Sequence, residues 1–346
     1  MQKSVTGDPA TLKEFSYAPI LFVAPNDPGS MHRISAYIFI ALLAIALPAA
    51  AFEMPIQPEP PFRTYTVSDG LNQRTVLATT QDQDGYLWVA TFGGLNRFDG
   101  REFEGYTTLQ GLRQNLIQAL FVDTENRLWA GDAGGGLTVI EEGRVVRTYQ
   151  PSGETRGVVR AITQIGQTLY VGSQPGGVQT LDLSDPDATL QPIPDTPSET
   201  LVLVVDNAGR ILVISTEGMH RLSPDEGHRI ELVDADITAV ERTDSGVVYV
   251  GNQDGKIGIL SGRQIDWFEQ TYSDRVSGLT VRDEHIDWVF LEGQGMTRFG
   301  DASDLEWNSG ATSATPAYDN EGGLWVPTRL GLLRYLGERF RHYAFI

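Results

Sequence analysis

The chain has 346 residues, with 26 Lys and Arg against 45 Asp and Glu, which gives a formal net charge of −19. This acidity repels phosphate backbones and anionic lipid headgroups, so it argues against a partner that is a nucleic acid or a membrane surface. The chain has no cysteine, which excludes disulfides, thiolate metal ligands and a cysteine nucleophile.

The first 61 residues precede the part of the chain that we expect to fold. Residues 1–30 contain four prolines without apolar periodicity, and we interpret them as a mis-start or a disordered extension, with Met31 as the true start. Residues 31–51 combine a short basic start, an apolar run and an Ala-Ala-Ala site, which predicts a signal peptide and export to the periplasm. An uncleaved signal anchor is the alternative. Residues 52–61 form a proline-rich lead-in, because proline lacks the amide donor that strand pairing needs.

A motif with a period of 37 to 42 residues runs through residues 62–346. Each copy has a polar turn, a short strand with a large apolar anchor, and a glycine six or seven residues after that anchor. The anchors are Trp88, Trp129, Tyr170, Leu212, Tyr249, Trp288 and Trp325. Such a period predicts an all-β fold, a seven-bladed β-propeller of four-stranded antiparallel blades.

The first copy predicts the four strands of one blade, which we call a to d from the axis outward. We expect strand a over residues 75–81, b over 86–91, c over 95–98 and d over 102–106, with Asp-Gly hairpin turns after a and c. Small residues recur on strand a, where the blades converge, and the tryptophan anchors are expected to fill the wider space between blades. The small residues are Ala78, Ala119, Ala161, Ala239 and Gly278.

The two ends of the repeat array leave two ways to close the ring. Residues 62–67 have the pattern of an outer strand d, yet the seventh copy has a candidate of its own at residues 339–343. Either the N-terminal strand completes the last blade as a latch, or the chain continues into further repeats.

The sequence DGYLWVATFGGLNRF, from Asp84 to Phe98, strongly resembles the two-component regulator propeller repeat. Residues 320–335 match the repeat again, and residues 107–123 resemble its linker into the next blade. The resemblance implies an extracytoplasmic ligand-sensing module of a bacterial receptor whose output domain is a histidine kinase or a diguanylate cyclase. We therefore expect this chain to be the sensor part of a longer receptor. A homodimer could form through that receptor, and membrane attachment would require a signal anchor or a further C-terminal segment.

Other chemical motifs are weak. Asp82-x-Asp84-Gly85 begins like a calcium loop but lacks the later ligands, so a hairpin turn is the better interpretation. Gly134-Gly135-Gly136 could hold an anion, but it falls at a b–c turn. The histidines His220, His228, His285 and His342 have no ligand spacing. We predict no metal, cofactor or catalytic residue, with a propeller lyase or lactonase as a minor alternative.

A ligand is expected where the b–c turns and the d–a connections emerge together, which we call the mouth end of the propeller. Phe92 there is either a stacking platform for a sugar ring or a packing residue between blades. The mixture of amide, carboxylate and guanidinium groups suits a small polar ligand such as a neutral or acidic oligosaccharide. A stand-alone periplasmic scaffold that binds a protein on its rim is the alternative. The predicted ligand-binding residues are Phe92, Arg113, Asn115, Asp132, Arg156, Gln174, Asn252, Gln253 and Arg329.

Overall fold

The computed structural model describes residues 62–151, 157–223, 229–233, 236–300 and 316–335. The predicted extension, signal peptide and lead-in lie outside these ranges, as do Arg156, His228, His342 and the candidate outer strand at 339–343.

The described residues form seven antiparallel sheets, six with four strands and one with three. In the first six blades the strands pair in chain order, and the first strands of neighbouring blades lie beside each other, so strand a is innermost. The predicted seven-bladed, all-β propeller is confirmed. The outer strand expected for blade 6 falls outside the described residues.

The first four blades each contain four strands, which follow one another from a to d. Blade 1 contains β2 (Val76–Gln81), β3 (Leu87–Thr91), β4 (Gly94–Phe98) and β5 (Phe103–Tyr106). Blade 2 contains β6 (Ile117–Val122), β7 (Leu128–Asp132), β8 (Leu137–Glu141) and β9 (Arg144–Tyr149). Blade 3 contains β10 (Val158–Ile165), β11 (Thr168–Gln174), β12 (Gly177–Asp182) and the short β13 (Gln191–Pro192). Blade 4 contains β14 (Thr200–Val205), β15 (Ile211–Ser215), β16 (Gly218–Ser223) and β17 (Arg229–Val233).

Blade 5 contains β18 (Ile237–Arg242), β19 (Val248–Asn252), β20 (Lys256–Ser261) and β21 (Gln264–Thr271). Blade 6 contains β22 (Val276–Arg282), β23 (His285–Leu291) and β24 (Gly295–Arg298). Blade 7 contains β25 (Ala317–Tyr318), β26 (Leu324–Thr328) and β27 (Gly331–Tyr335), and its outer strand is β1 (Phe62–Tyr65). Two 3₁₀ turns, Val67–Asp69 and Thr108–Gln110, lie in the connections that lead into blades 1 and 2.

The N-terminal strand closes the ring as a latch. β1 pairs with β27 in antiparallel register, from Phe62 opposite Tyr335 to Tyr65 opposite Leu332. Tyr65 is 3% exposed, and its ring lies 5.5 Å from that of Trp325 in blade 7 and 5.2 Å from that of Phe98 in blade 1. The first of the two closures is therefore the one observed, and Tyr65 joins the first blade to the last.

Buried side chains join each blade to the next. The four tryptophan anchors Trp88, Trp129, Trp288 and Trp325 are at most 2% exposed. Trp88 packs in one cluster with residues of blade 2, and Trp129 packs in another with residues of blade 3. The core is thus a ring of inter-blade clusters around the axis.

A buried aspartate at the end of strand a orders the turn in front of the anchor. Asp82 accepts a hydrogen bond from the indole Nε1 of Trp88 (2.7 Å) and another from the Tyr86 amide (2.8 Å). Asp123 does the same for Trp129 in blade 2, and Asp319 for Trp325 in blade 7, both with an indole distance of 2.8 Å. The Asp82-x-Asp84 pattern is therefore a hairpin turn, as expected, and its first carboxylate satisfies the buried indole.

Blade 4 keeps the aspartate although its anchor is Leu212. Asp206 accepts hydrogen bonds from the Arg210 side chain (2.9 Å) and from the Arg210 amide (3.0 Å). Burial by itself raises the pKa of Asp206, but these hydrogen bonds outweigh it, so the pKa lies below its ordinary value. A half-buried arginine thus takes the place of the indole as the donor to the aspartate.

The end of the propeller opposite the mouth is tied together by hydrogen bonds between blades. Each bond joins an a–b turn, or a residue beside it, to its equivalent in the neighbouring blade. The donors and acceptors are the Gln83 amide to Asn126, the Thr124 amide to Gln164, the Ser245 amide to Glu284, Arg282 to the Gly322 carbonyl and the Asn320 amide to Gln81, at 2.7 to 3.1 Å. At these five junctions, the polar groups of the a–b turns therefore form hydrogen bonds with the neighbouring blade.

Replacing Tyr65 tests the latch. Tyr65→Ala removes a buried aromatic side chain from the junction of blades 7 and 1, and we expect it to lower the free energy of unfolding by about 3–5 kcal/mol. Thr64→Ala, which changes an exposed residue of the same strand, is the control and should change it by less than about 0.5 kcal/mol. Chemical denaturation measures both variants, and equal losses would contradict the latch.

Replacing Asp123 tests the turn carboxylate. Asp123→Ala leaves the buried indole N–H of Trp129 without its acceptor, so we expect a loss of about 1–3 kcal/mol from that group alone, measured by urea denaturation. Glu125→Ala removes an exposed carboxylate from the same turn and should be nearly neutral. If the two variants unfold at the same urea concentration, the buried hydrogen bond contributes nothing to stability.

Candidate functional site

The channel wall near the mouth end carries a repeated irregularity. In each of the first six blades, strand a has a β-bulge near its start, one residue after the first paired residue, or two residues after it in blade 3. A bulge leaves its extra residue out of the ladder and redirects the side chain. All six bulged residues are half-buried. They are Leu77, Gln118, Arg160, Leu201, Thr238 and Ser277.

Arg160 is the one charged residue among these six positions. Its Nε donates to the side-chain oxygen of Gln174 (2.9 Å) at the end of β11. Its Nη1 donates to the side-chain oxygen of Gln118 (2.9 Å), which is the bulged residue of blade 2. The predicted site residue Gln174 is thus part of a network with two residues that the sequence analysis missed.

Two predicted site residues, Asp132 and Asn252, occupy the last position of strand b and order the following b–c turn. Asp132 is fully buried, and its Oδ1 accepts from the Gly134 amide (2.7 Å) and the Gly136 amide (3.3 Å). Asn252 is 8% exposed and accepts from the Lys256 amide (2.8 Å) in the same way. The Gly134 and Gly136 amides therefore donate to a carboxylate of the protein itself, and the Gly135 amide donates to the backbone carbonyl of Asp132 (3.3 Å).

Arg113 lies across that triplet. Its guanidinium forms a buried ion pair with Asp132 and donates to Gln150 (3.2 Å). A Cβ on Gly136 would lie 2.2 Å from Arg113 Nε, and one on Gly134 would lie 2.5 Å from Nη2. At Gly136 the Tyr149 carbonyl would also lie 2.5 Å from a Cβ, so glycine is required there, whereas the contact at Gly134 is with the end of a flexible side chain.

The other predicted residues lie at the surface of the mouth end. Asn115 is exposed, and its side-chain oxygen accepts from the Thr108 amide (2.8 Å), which stabilises the connection into blade 2. Gln253 and Arg329 are exposed on the b–c turns of blades 5 and 7. Phe92 is 48% exposed on the b–c turn of blade 1. Arg156 lies outside the described residues.

Exposed apolar side chains also collect at the mouth end near blades 7 and 1. Phe92 and Leu330 (61% exposed) lie on the b–c turns of these neighbouring blades. Val67 (55%) and Leu109 (91%) lie on the connections that enter blades 1 and 2. We call these four residues the apolar patch. They add one aromatic and three aliphatic side chains to the exposed surface of the mouth end. Exposed apolar surface of this kind is typical of contact sites.

Strand a of blade 5 carries a carboxyl group in unusual surroundings. Glu241 lies on the same side of β18 as Ala239, which packs against blade 6. Burial raises the pKa of Glu241 to about 8, although a hydrogen bond from the Arg242 backbone acts in the opposite direction. This side chain therefore holds a proton near neutral pH.

The raised pKa makes stability depend on pH in a defined direction. Between the ordinary value of 4.5 and about 8, the folded state keeps a proton on Glu241 that the unfolded state has lost. Stability is therefore lost as pH rises through this window. Glu241→Gln should be more stable than the wild type near pH 8 and equal to it near pH 4.5, as measured by denaturation at both values. Glu217→Gln, an exposed control, should show no such difference, and a pH-independent effect of Glu241→Gln would contradict the assignment.

The described residues contain no cluster of three or more His, Asp or Glu side chains that could hold a metal ion. His220 is buried on strand c of blade 4, and His285 is exposed beside an a–b turn, away from the mouth. Within the same ranges, no helix has the length and apolar character to cross a membrane.

Two sequence comparisons match short parts of the chain. A family model described as "Two component regulator propeller" matches residues 70–93. Histidine kinase P4 of Formosa agariphila is 49% identical over 43 residues, which is 12% of this chain and 3% of that protein. The resemblance seen in the repeat sequence is thereby confirmed.

Solved structures share the fold at low sequence identity. The extracellular domain assigned to a hybrid two component system from B. thetaiotaomicron is 19% identical, with a TM-score of 0.63. The similarity covers 79% of this chain and 41% of that domain, so the chain spans less than half of its relative. Virginiamycin B lyase from Staphylococcus aureus is 11% identical with a TM-score of 0.63, over 79% of this chain and 98% of the lyase. At these identities the similarities establish the propeller fold alone.

Proposed function

Because the chain carries a two component regulator propeller repeat, we propose that it is the ligand-sensing module of a bacterial signal-transduction receptor. The similarity to extracellular domains of two component systems supports this assignment and an extracytoplasmic location. A kinase or diguanylate cyclase output would belong to parts of the receptor outside this chain.

The difference between the two ends of the propeller is the observation that carries the proposal. At one end the a–b turns bond to each other across five junctions between blades. At the mouth end the turns and connections expose Phe92, Leu330, Gln253 and Arg329. A ligand at the mouth can therefore contact several blades at once. At the opposite end, the a–b turns form hydrogen bonds that join neighbouring blades.

Contact with several blades gives a physical basis for signalling. A ligand shifts the balance between two receptor states only if it binds one of them more tightly. A ligand that bridges b–c turns from separate blades favours the state in which those turns have the matching separation. In a receptor homodimer, such a change would be transmitted through the parts that follow the propeller.

We also propose that the chain binds its ligand without transforming it. The shared fold with virginiamycin B lyase supports no common chemistry, because at 11% identity the similarity extends to the fold alone. The mouth of this chain presents arginine, amide, carboxylate and apolar groups, and Glu217, Asp254 and Glu292 are exposed on its b–c turns. These groups suit recognition of a polar ligand with a ring, such as an oligosaccharide.

A ligand screen with matched variants tests the proposal. The purified chain is screened by thermal shift against neutral and acidic oligosaccharides, and a ligand of the mouth should raise the melting temperature and be recovered chemically unchanged by mass spectrometry. Phe92→Ala should weaken binding about tenfold or more, because it removes an exposed ring from the mouth. Trp267→Ala removes a ring of similar exposure (38%) from an outer strand and should have no effect. A flat response to all the sugars would contradict sensing of carbohydrates and favour a protein-binding scaffold.

A further inference from the structure

Arg160 differs from four other half-buried arginines in its partners. Arg113 pairs with Asp132, Arg127 with Asp123, Arg210 with Asp206 and Arg334 with Asp319, each a contact with a carboxylate. Arg160 instead donates to two neutral amide oxygens, those of Gln118 and Gln174. It makes no ion pair with a carboxylate among the residues that the structure describes. Within the described part of the chain, its positive charge therefore has no ion-pair partner.

The two glutamines hold the guanidinium in place without neutralising it. Gln174 lies on strand b of the same blade, and Gln118 lies on strand a of the preceding blade. Fixed by two hydrogen bonds, the planar guanidinium is pre-organised and loses little freedom when it binds a further group. Because both amide oxygens accept from Arg160, the amide NH₂ groups of Gln118 and Gln174 point elsewhere, and they make no other hydrogen bond to described residues.

These groups form a set of donors at one point of the channel wall. Arg160 Nη2 and the two amide NH₂ groups are left to donate, and all three side chains are half-buried. A half-buried cation without a counter-charge is costly, so an anion that enters the mouth gains more there than at a fully solvated arginine. In a chain with a net charge of −19, carboxylates are abundant. An arginine without an ion-pair partner among the described residues therefore favours a role in binding an anion.

We infer that Arg160, with Gln118 and Gln174, forms a carboxylate-binding subsite at the channel mouth, so that the ligand of this propeller is acidic. A single positive charge flanked by neutral amide donors matches a monoanionic, planar carboxylate better than a dianionic phosphate. The inference rests on the proposed sensing function and narrows its ligand class. The bulge of blade 3 places a cationic side chain at a position where the other five described bulges have neutral side chains.

The test compares an acid with its neutral ester. The full chain is titrated by calorimetry with trigalacturonate and triglucuronate, and with the methyl esters of both, which differ from the acids in charge. At least one acid should bind about tenfold or more tightly than its ester, a difference of about 1.4 kcal/mol. Equal binding of acid and ester would overturn the carboxylate subsite.

Three variants separate charge from packing. Arg160→Gln should lower affinity for the acid to that for the ester. Gln118→Glu keeps Arg160 and nearly the same shape but puts a carboxylate beside the guanidinium, so it should also abolish the preference for the acid without loss of melting temperature. Arg101→Gln makes the same charge change on an exposed c–d turn at the opposite end and should leave binding unchanged.

The outcomes distinguish this inference from the function on which it rests. If neutral sugars raise the melting temperature and the acids show no preference, the subsite is wrong and sensing stands. If Arg160→Gln binds the acid as the wild type does, the subsite is wrong whatever the ligand. If neither acids, esters nor neutral sugars bind, both proposals fail.

Discussion

The hydrogen bond from a buried indole to the aspartate at the end of strand a is the interaction on which blades 1, 2 and 7 depend. A tryptophan supplies enough apolar volume to fill the gap between two blades, but burying its N–H without an acceptor costs free energy. Asp82, Asp123 and Asp319 provide that acceptor while they order the turn before the anchor strand. One carboxylate thus couples the local hairpin to the packing of one blade on the next.

The blades that lack this pair show what replaces it. In blade 5 the anchor is Tyr249, whose hydroxyl donates to the Glu284 carbonyl (3.1 Å) in blade 6. In blade 6 the Arg298 guanidinium lies 4.3 Å from the centre of the Trp288 ring. Each solution still joins the anchor to polar groups near the a–b turns. Together with the hydrogen bonds between those turns, these contacts join neighbouring blades at the end opposite the mouth.

Some residues predicted at the mouth shape its turns and others are exposed to a ligand, and the sequence alone does not distinguish the two groups. Asp132 and Asn252 face inward at the end of strand b and accept from backbone amides, so they shape the turns. Arg113 is neutralised by Asp132 and belongs to the same framework. Phe92, Gln253 and Arg329 remain at the surface, where a ligand can reach them. Arg160 is different again, because it is held in place by Gln118 and Gln174 and yet keeps its charge.

From the sequence alone, the number of blades, their strand order, the Asp-Gly turns and the family resemblance could be determined, because a period of about 40 residues can be satisfied by few architectures. The first copy was predicted to within about one residue of its strand limits, since glycine turns punctuate it sharply. The tertiary structure decided that β1 completes blade 7, because pairing depends on which strand edge lies nearby and not on local pattern. It also decided the roles of Asp132 and Arg160, because a hydrogen bond between residues 19 or 42 positions apart is set by the approach of neighbouring strands, which no local stretch of sequence encodes.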